Sequence, residues 1–594
     1  MTSPPRPAPR LVRWLPILTT VRHYRRETAT ADAVAAAVVA LMLIPQSLAY
    51  ALLAGMPPEA GLIANIAPLV AYALLGTSSA LAVGPAAVTS LMTGAAAGAL
   101  HASGSPGYAW AVWWLALLAG LFSLLLGVLR LGALAQWLSH PVLHGFVAAS
   151  AILIAASQLR HLLGVEAAGT VLPDLLPALV RALPDAHAPT LAFGLATLAA
   201  LWLARRHAAA LLRRAGWPAA RAALAAKVAP VLVLAAATAA SAWGDAAAHG
   251  VRVVGTVPAA LPSWTWAPAE AWRWEMVQPL LLPALLLALV GFVESVSVGQ
   301  SLAARRRERL DPDAELRALG AANVAAACSG GFPVTGGFAR SVVNYEAGAR
   351  TPLAGLWTAA ALALAAWQLT PLLAPLPQAA LAATIVVAVL GLVDAPAFAR
   401  VWRYSRSDFT AMVLTLLLTL TAGVETGLAG GVLTSVALLL WRHSRPHIAV
   451  VGRVPGTEHF RNVRRHRVQT WPQVLSLRID ESLTFANARF LEDWIAAAVA
   501  AQPAVRHVVL QCSAVNDIDA SALESLLTIE ERLAAAGVTL HLSEVKGPVM
   551  DRLQRSELPQ RLAGRIHLTH HQAVQALTDC PAQDVSGGAE RTGE

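Results

Sequence analysis

The sequence predicts a polytopic α-helical membrane protein, with fourteen transmembrane segments as two inverted repeats of seven, followed by a small cytoplasmic α/β domain. Three observations carry that reading. Hydrophobic residues make up 56% and charged residues 13% of the 594 positions, with a mean hydropathy of +0.57; a soluble domain carries about 25% charge. The charge deficit falls within residues 32–441, which read as successive apolar runs near the ~20 residues one membrane crossing needs. Within that zone a short motif recurs at a long offset.

Arg6, Arg10, Arg13, Arg22, Arg25 and Arg26 precede the first span and place the N-terminal segment, residues 1–31, in the cytoplasm by the positive-inside rule. The first apolar run leads into further spans and shows no cleavage site, so the segment is not read as a removable signal peptide. Apolar runs fall near 33–56, 59–76, 80–100, 109–129, 134–161, 174–204, 224–243, 277–300, 315–331, 335–349, 352–373, 378–394, 408–424 and 425–441. Arginine clusters at 205–214, 305–309, 400–406 and from 442 onward follow the sixth, eighth, twelfth and fourteenth runs. An even number of crossings therefore separates each cluster from the N-terminus, and both termini are cytoplasmic. The same clusters account for the net charge of +9 and pI near 10.1. No basic helix with interleaved aromatics is present, and nucleic acid is not an expected partner.

Gln46-Ser47-Leu48-Ala49 recurs as Gln300-Ser301-Leu302-Ala303, an offset of 254, and at the same offset Pro58-Glu59-Ala60 falls on Pro312-Asp313-Ala314. Seven spans separate the copies, and an odd number inverts the second copy in the membrane, which is the inverted-repeat plan of secondary transporters. The offset also pairs the third span with the tenth, and both are interrupted: Gly84-Pro85 in one, Gly330-Gly331-Phe332-Pro333 and Gly336-Gly337 in the other. Irregular backbone at membrane depth is tolerated where it is buried in protein or lines a cavity. Two half-helices with facing N-termini are therefore expected, forming an anion site from unpaired N–H groups and dipole ends. Between the seventh and eighth spans, Trp243, Trp264, Trp266, Trp272 and Trp274 read as an interfacial belt.

Arg340 follows the broken part of the tenth span, where an uncompensated cation is costly. Its partner is either an anionic substrate or Glu294 of the eighth span. Intramembrane carboxylates default to functional hypotheses, so Glu294 is a candidate proton carrier as well as a static partner for Arg340. Gln46 and Tyr50 flank the break after Pro45 one turn apart, and both can donate to an oxyanion or serve as helix–helix contacts. Thr335, Ser341 and Asn344 are weaker candidates. His140 and His144 read as interfacial packing, and Cys328, Cys512 and Cys580 lie too far apart for a metal or disulfide framework. No metal or cofactor is expected. Phosphate-loop, nucleophile-elbow and zinc-protease motifs are absent from the sequence, which argues against an enzyme or an ATP-driven pump.

After Trp441 a basic linker, residues 442–470, leads into alternating strand and helix patterns over 471–580. Strands fit 474–479, 507–512 and 538–543, and helices fit 487–501, 520–536 and 548–556. That alternation argues a covered α/β sheet. Residues 581–594 read as a disordered tail.

These features together resemble the SulP-type (sulfate permease) anion transporters. The resemblance rests on Leu43-Ile44-Pro45-Gln46-Ser47-Leu48-Ala49-Tyr50, on Ala82-Val83-Gly84-Pro85, on Gly336-Gly337-Phe338-Ala339-Arg340-Ser341-Val342-Val343-Asn344, and on Ala347-Gly348-Ala349-Arg350-Thr351-Pro352. It implies a moving core domain and a gate domain, with the anion held between the third and tenth half-helices by Gln46, Tyr50, Ala86, Phe338, Ala339 and Arg340. It implies proton coupling at Glu294, where sodium-dependent bicarbonate members typically carry Asp. Ala339 departs from the Ser of several relatives, which leaves oxyanion selectivity open. The C-terminal domain resembles a STAS domain through Asn516-Asp517-Ile518-Asp519-Ala520-Ser521-Ala522-Leu523. Ser521 occupies a position phosphorylated in the anti-sigma-factor antagonists, although Ala520 and Ala522 depart from the usual Ser and Gly; it is a possible regulatory phosphosite or a helix cap. The expectation is an elevator-type proton–sulfate symporter of the bacterial inner membrane, surrounded by lipid, dimeric, and open to a cytoplasmic partner at the STAS domain. Bicarbonate or C4-dicarboxylate symport and anion exchange stand behind it, and a membrane anion sensor signalling through the STAS domain is the alternative of another class.

Overall fold

The computed structural model describes residues 15–22, 24–133, 139–256, 262–268, 272–368, 370–578 and 583–585. The chain divides into two units, residues 1–435 and 436–594. Cys580 and, of the N-terminal arginine cluster, Arg6, Arg10 and Arg13 lie outside the described residues.

The first unit is helical: α1 (Arg26–Leu53), α2 (Pro58–Leu75), the two-residue strand β1 (Val83–Gly84), α3 (Ala87–Gly98), α4 (Pro106–Val128), α5 (His140–Leu163), α6 (Leu172–Ala182), α7 (Ala188–Arg214), α8 (Ala219–Ala226), α9 (Ala229–Trp243), α10 (Leu281–Arg306), α11 (Pro312–Cys328), β2 (Thr335–Gly336), α12 (Phe338–Glu346), α13 (Ala354–Gln368), α14 (Gln378–Leu390), α15 (Ala395–Tyr404), α16 (Arg406–Ala422) and α17 (Val424–Ser444). Each apolar run of the sequence overlaps at least one of these helices, and among the described residues eight helical stretches are long and apolar enough to cross a membrane. Pro58 and Pro312, paired by the repeat, both take the first position of their helices, where a missing N–H is harmless and φ is already helical. The two broken segments align at a slightly different spacing: Ala87 and Phe338, which open α3 and α12, are 251 residues apart. The run at 174–204 is two helices, because Pro184 and Asp185 end the first in a 3₁₀ turn. α6 buries Leu175 and Leu179 and leaves Leu176 and Val180 exposed, the pattern of a helix lying along an interface.

Packing sorts the helices into two groups. α1, α2, α4, α10, α11, α12 and α13 pack mainly on one another, as do α5, α7, α9, α14 and α16. The tightest contact is between α4 and α11, where Gly120 and Gly320 face each other; a Cβ on either would lie under 3.0 Å from the other's carbonyl oxygen. Contacts between the groups are fewer and run through α1 against α9 and α14, and α3 against α5. An ion pair between Lys227, before α9, and Glu346, at the end of α12, also joins them. Of the Trp-rich segment, Trp266 and Trp272 stack edge-on against Trp113 of α4 at 5.6 and 6.2 Å, while Trp243 and Trp264 are exposed.

The second unit holds an eight-stranded sheet. Its path runs β10 (Gln583–Val585), β5 (Val468–Thr470), β3 (Ile448–Arg453), β6 (Val474–Ile479), β7 (His507–Gln511), β8 (Thr539–Ser543), β9 (Ile566–His567), with β4 (Phe460–Asn462) on β3. β6 to β9 are parallel and β3 is antiparallel to β6. α18 (Ala488–Ala500), α19 (Ala520–Ala535) and α20 (Gly547–Leu553) contribute Leu491, Ile495, Leu526, Ile529, Val549 and Leu553 to its core. The expected basic linker, 442–470, is corrected: β3, β4 and β5 lie in it and belong to the sheet. Their strands are short, and arginines at Arg453 and Arg461 disguise the alternation of Ala449, Val451 and Phe460 toward the interior. The tail is corrected at Gln583–Val585, which pair with β5.

Histidines line up across β7, β8 and β9. His507 Nδ1 lies 2.6 Å from Thr539 Oγ1, which lies 3.1 Å from His541 Nε2, and His541 Nδ1 lies 3.3 Å from His567 Nε2. Burial, then the charges of His507, His567 and Arg565, push His541 from 6.5 down to about 4. Burial lowers His507 and His567 as well. The row is neutral in the folded domain, so its contribution is complete above the unfolded value and is lost as pH falls from about 6.5 toward 4. Amide exchange of β8 in the full-length protein, corrected for intrinsic rate, is expected to quicken between pH 7.5 and 5.5, and His541→Gln to blunt that response. Equal protection at both pH values would remove the assignment.

Candidate functional site

The apolar sequence breaks where the two short strands meet. β1 and β2 pair antiparallel, Val83 with Gly336 and Gly84 with Thr335. Pro85 supplies no N–H, and the glycines weaken helix, so neither segment continues as an unbroken span. β1 runs into α3 at Ala87 and β2 into α12 at Phe338. Antiparallel pairing sends the helices in opposite directions from one ladder and brings their N-termini to it. The cap residues, Ala86 and Gly337, make no side-chain cap hydrogen bond. The first-turn N–H groups have no intrahelical acceptor and carry the positive end of each dipole.

Arg340, third residue of α12, is 3% exposed. Its Nη1 donates to the Pro85 carbonyl at 2.7 Å, and its Nη2 to those of Gly84 and Thr335 at 2.6 and 2.7 Å. The guanidinium thus staples the β1–α3 break to the start of β2, and its Nε has no partner. A Cβ on Gly84 would lie 2.1 Å from Asn65 Oδ1 and 2.9 Å from Arg340 Nη1, so glycine is required there.

Other polar side chains hold the ladder from outside. Ser295 Oγ accepts from Gly336 N at 2.8 Å and donates to the Gly291 carbonyl at 2.6 Å, which also receives Thr335 Oγ1 at 2.7 Å. The Asn323 amide pairs with both N and O of Val334, at 2.9 and 3.0 Å. Asn65 Nδ2 donates to Ser47 Oγ at 2.7 Å. Ser341 Oγ accepts from Ala82 N at 3.0 Å, and Asn344 Nδ2 donates to the Ala80 carbonyl at 3.1 Å. Thr335, Ser341 and Asn344 therefore serve the backbone. Ser295, Asn323 and Asn65 escaped the sequence reading; their one signal is that they are polar residues in apolar runs.

Glu294 in α10 and Gln46 and Tyr50 in α1 are partly buried, and among the described residues their side chains make no hydrogen bond. No direct ion pair joins Glu294 to Arg340, yet Glu294, Tyr50 and Arg340 lie within reach of one another's charge. Ala86 is buried, while Phe338 and Ala339 are exposed at the start of α12. The centre thus gathers unpaired donors (helix N–H groups, Arg340 Nε, the Gln46 amide, the Tyr50 hydroxyl) and one carboxylate. Such a set suits a small anion accompanied by a proton. Ser521 belongs to the other unit, exposed in the first turn of α19. Asp519, not Ser521, caps that helix, accepting from Ala522 N at 2.9 Å.

Residues 30–415 match the sulfate permease family and residues 466–573 the STAS domain. A probable sulfate transporter of Mycobacterium tuberculosis is 34% identical over 567 residues, 95% of this chain and 98% of that protein. The chloroplastic sulfate transporter 4.1 of Arabidopsis thaliana is 32% identical over 591 residues, covering 95% and 83%. Among solved structures, the murine Solute Carrier 26 family member A9 anion transporter in the inward-facing state superposes with a TM-score of 0.86 at 21% identity, covering 97% of this chain and 96% of that one. The transmembrane domain of a cyanobacterium bicarbonate transporter superposes at 0.59 and 20% identity, covering 70% and 98%. The last two likenesses concern the fold.

Removing the Arg340 guanidinium strands three buried carbonyls, at a cost on the order of 4 kcal/mol for hydrogen bonds to a charged group. Arg340→Ala is therefore expected to melt well below the wild type in detergent, and Glu294→Ala to melt near it. An Arg340→Ala melt at the wild-type temperature would remove the staple.

Proposed function

The chain belongs to the sulfate permease family, and we propose that it is a proton-coupled sulfate symporter of the bacterial inner membrane, multi-pass, with both termini cytoplasmic. It is a transporter and not an enzyme. The observation that carries the sulfate reading is the pair of uncapped helix N-termini meeting at the β1–β2 ladder beside Arg340. Backbone N–H groups and dipole ends recognise an oxyanion without many formal charges, which suits a site deep in an apolar unit. In this reading the anion lies against Ala86, Phe338 and Ala339 and takes hydrogen bonds from the helix ends, Gln46 and Tyr50. Arg340 acts chiefly through its field, because its Nη atoms are held by carbonyls.

Glu294 carries the proton in this scheme. Ionised, its charge opposes an approaching dianion and offsets Arg340; protonated, it leaves the site net positive. Proton and sulfate therefore each favour the other's binding, and such coupling is reciprocal. Movement is of the elevator type: the helix group bearing the β1–β2 ladder shifts against the group of α5, α7, α9, α14 and α16, helped by the sparse contacts between them. The protein works as a dimer, and exposed Ser521 offers a regulatory phosphosite on the STAS domain for a cytoplasmic partner.

Proteoliposomes loaded at neutral pH are expected to accumulate labelled sulfate faster under an inward proton gradient. Binding without flux would instead favour an anion sensor, and stronger competition by bicarbonate or a C4-dicarboxylate would change the substrate. Glu294→Gln is expected to make uptake independent of the gradient; if the gradient still drives uptake in that variant, another group carries the proton.

A further inference from the structure

A cavity of about 1100 Å³ lies among residues of α1, α3, α4, α5 and α17. Its floor is apolar: Leu52 and Leu53 at the end of α1, Leu91 of α3 and Leu153 of α5. Leu91 is four residues past Ala87, about 6 Å along the α3 axis, so the cavity ends one turn from the helix N-terminus that the proposed function assigns to the anion. Titratable groups on its wall are Arg160 and His161, in the last turn of α5, Glu425, in the first turn of α17, and Tyr108, whose hydroxyl donates to the Ala54 carbonyl at 2.6 Å.

Among the described residues Arg160 has no carboxylate partner. Its Nε lies 3.3 Å from His161 Nε2, and its Nη1 reaches the Ala167 carbonyl only at 3.5 Å. A guanidinium is always a donor, so His161 Nε2 accepts and the ring is neutral in this arrangement. Arg160 and His161 also line a second, small cavity with Arg252. Arg252 is paired with Glu166 at 2.7 Å, so that acid is engaged elsewhere. Glu425 is the carboxylate left on the cavity wall. The wall thus carries a partly buried cation with two long hydrogen bonds to its neighbours and N–H groups to spare.

We infer that Arg160 forms an outer capture subsite for small anions, through which substrate reaches the half-helix site. The inference rests on the transport reading and adds a residue to it. The guanidinium raises local anion concentration at the mouth and hands the ion across the leucine floor when the helix groups shift. Its position at the C-terminal end of α5 also complements that helix's dipole, a purely structural role the test must separate.

Sulfate uptake by proteoliposomes of full-length protein, measured against external sulfate at low and high ionic strength, makes the separation. Arg160→Gln is expected to lower kcat/KM by about tenfold or more at low salt, through KM, with the maximal rate kept and the deficit shrinking in high salt. Arg160→Lys keeps the charge and should retain most of the wild-type value, and Glu425→Gln should shift KM the opposite way. An unchanged KM in Arg160→Gln, or a lowered melting temperature and maximal rate at constant KM, overturns the subsite and leaves the dipole role. Sulfate binding to the solubilised protein gives a readout independent of flux: wild-type binding that Arg160→Gln does not weaken also overturns it, whereas absent wild-type flux defeats the transport reading. Should Arg160→Gln fail to fold, a near wild-type KM in Arg160→Lys together with a lowered KM in Glu425→Gln supports the subsite, and an unchanged KM in Glu425→Gln overturns it.

Discussion

The membrane unit depends on one constraint: two interrupted backbones in its interior must have their carbonyls satisfied without hiding their N–H groups. Arg340 meets the first half. One side chain from α12 donates to three carbonyls, two from the β1–α3 break and one from β2, and so fastens one interrupted segment to the other. A lysine could not do this, because its ammonium is a point charge without the planar fork that spans separated acceptors. The second half is met by omission. Ala86 and Gly337 stand where Ser, Thr, Asp or Asn would ordinarily cap, and neither has a side-chain acceptor to offer.

The surrounding polar residues make sense as consequences of that constraint. Ser295, Asn323 and Ser341 each serve a backbone group of the strands or their approaches, and Thr335 ties β2 to the Gly291 carbonyl of α10, so the ladder holds its shape while the helix ends stay open. Gly84 allows the Asn65 amide and the Arg340 guanidinium to come against the same backbone position. Glu294 is different in kind: it sits next to Ser295, which is fully engaged, yet its own carboxylate is bound by no neighbour among the described residues. Its proximity to Arg340 is electrostatic and not a contact. A fixed counter-ion would be expected to close that gap.

Much of this was legible in the sequence because the signals were local. Runs of apolar residues located the helices, Pro58 and Pro312 marked the repeat, and Gly84-Pro85 and Gly336-Gly337 marked the breaks. What could not be read was any contact whose partner is backbone. Arg340 invites a search for an acidic side chain, and its acceptors are carbonyls, which have no letter in the sequence. The same blindness explains β3 to β5: short strands whose place in the sheet is set by pairing, β3 with β6 and β4 and β5 with β3, not by their own pattern. It also explains the repeat spacing, exact at Pro58 and Pro312 and displaced by the time the chain reaches Ala87 and Phe338, since intervening loops tolerate length changes that helix packing does not.

On the proposed function, the side chains at the two helix starts say where selectivity must come from. Ala86, Ala87 and Ala339 present methyl groups and Phe338 a ring, so none adds a hydrogen bond to those of the backbone. Backbone N–H groups favour any oxyanion of suitable size and discriminate weakly among them. Discrimination then falls to Gln46 and Tyr50, the uncommitted side-chain donors of α1, and to the charge balance set by Arg340 and Glu294. A dianion gains more than a monoanion from a site that turns net positive when Glu294 is protonated, because its interaction with that charge is doubled while the apolar lining is the same. The arrangement therefore links substrate valence to proton carriage: the group that would bring in the proton is also the group that makes a doubly charged anion the better ligand.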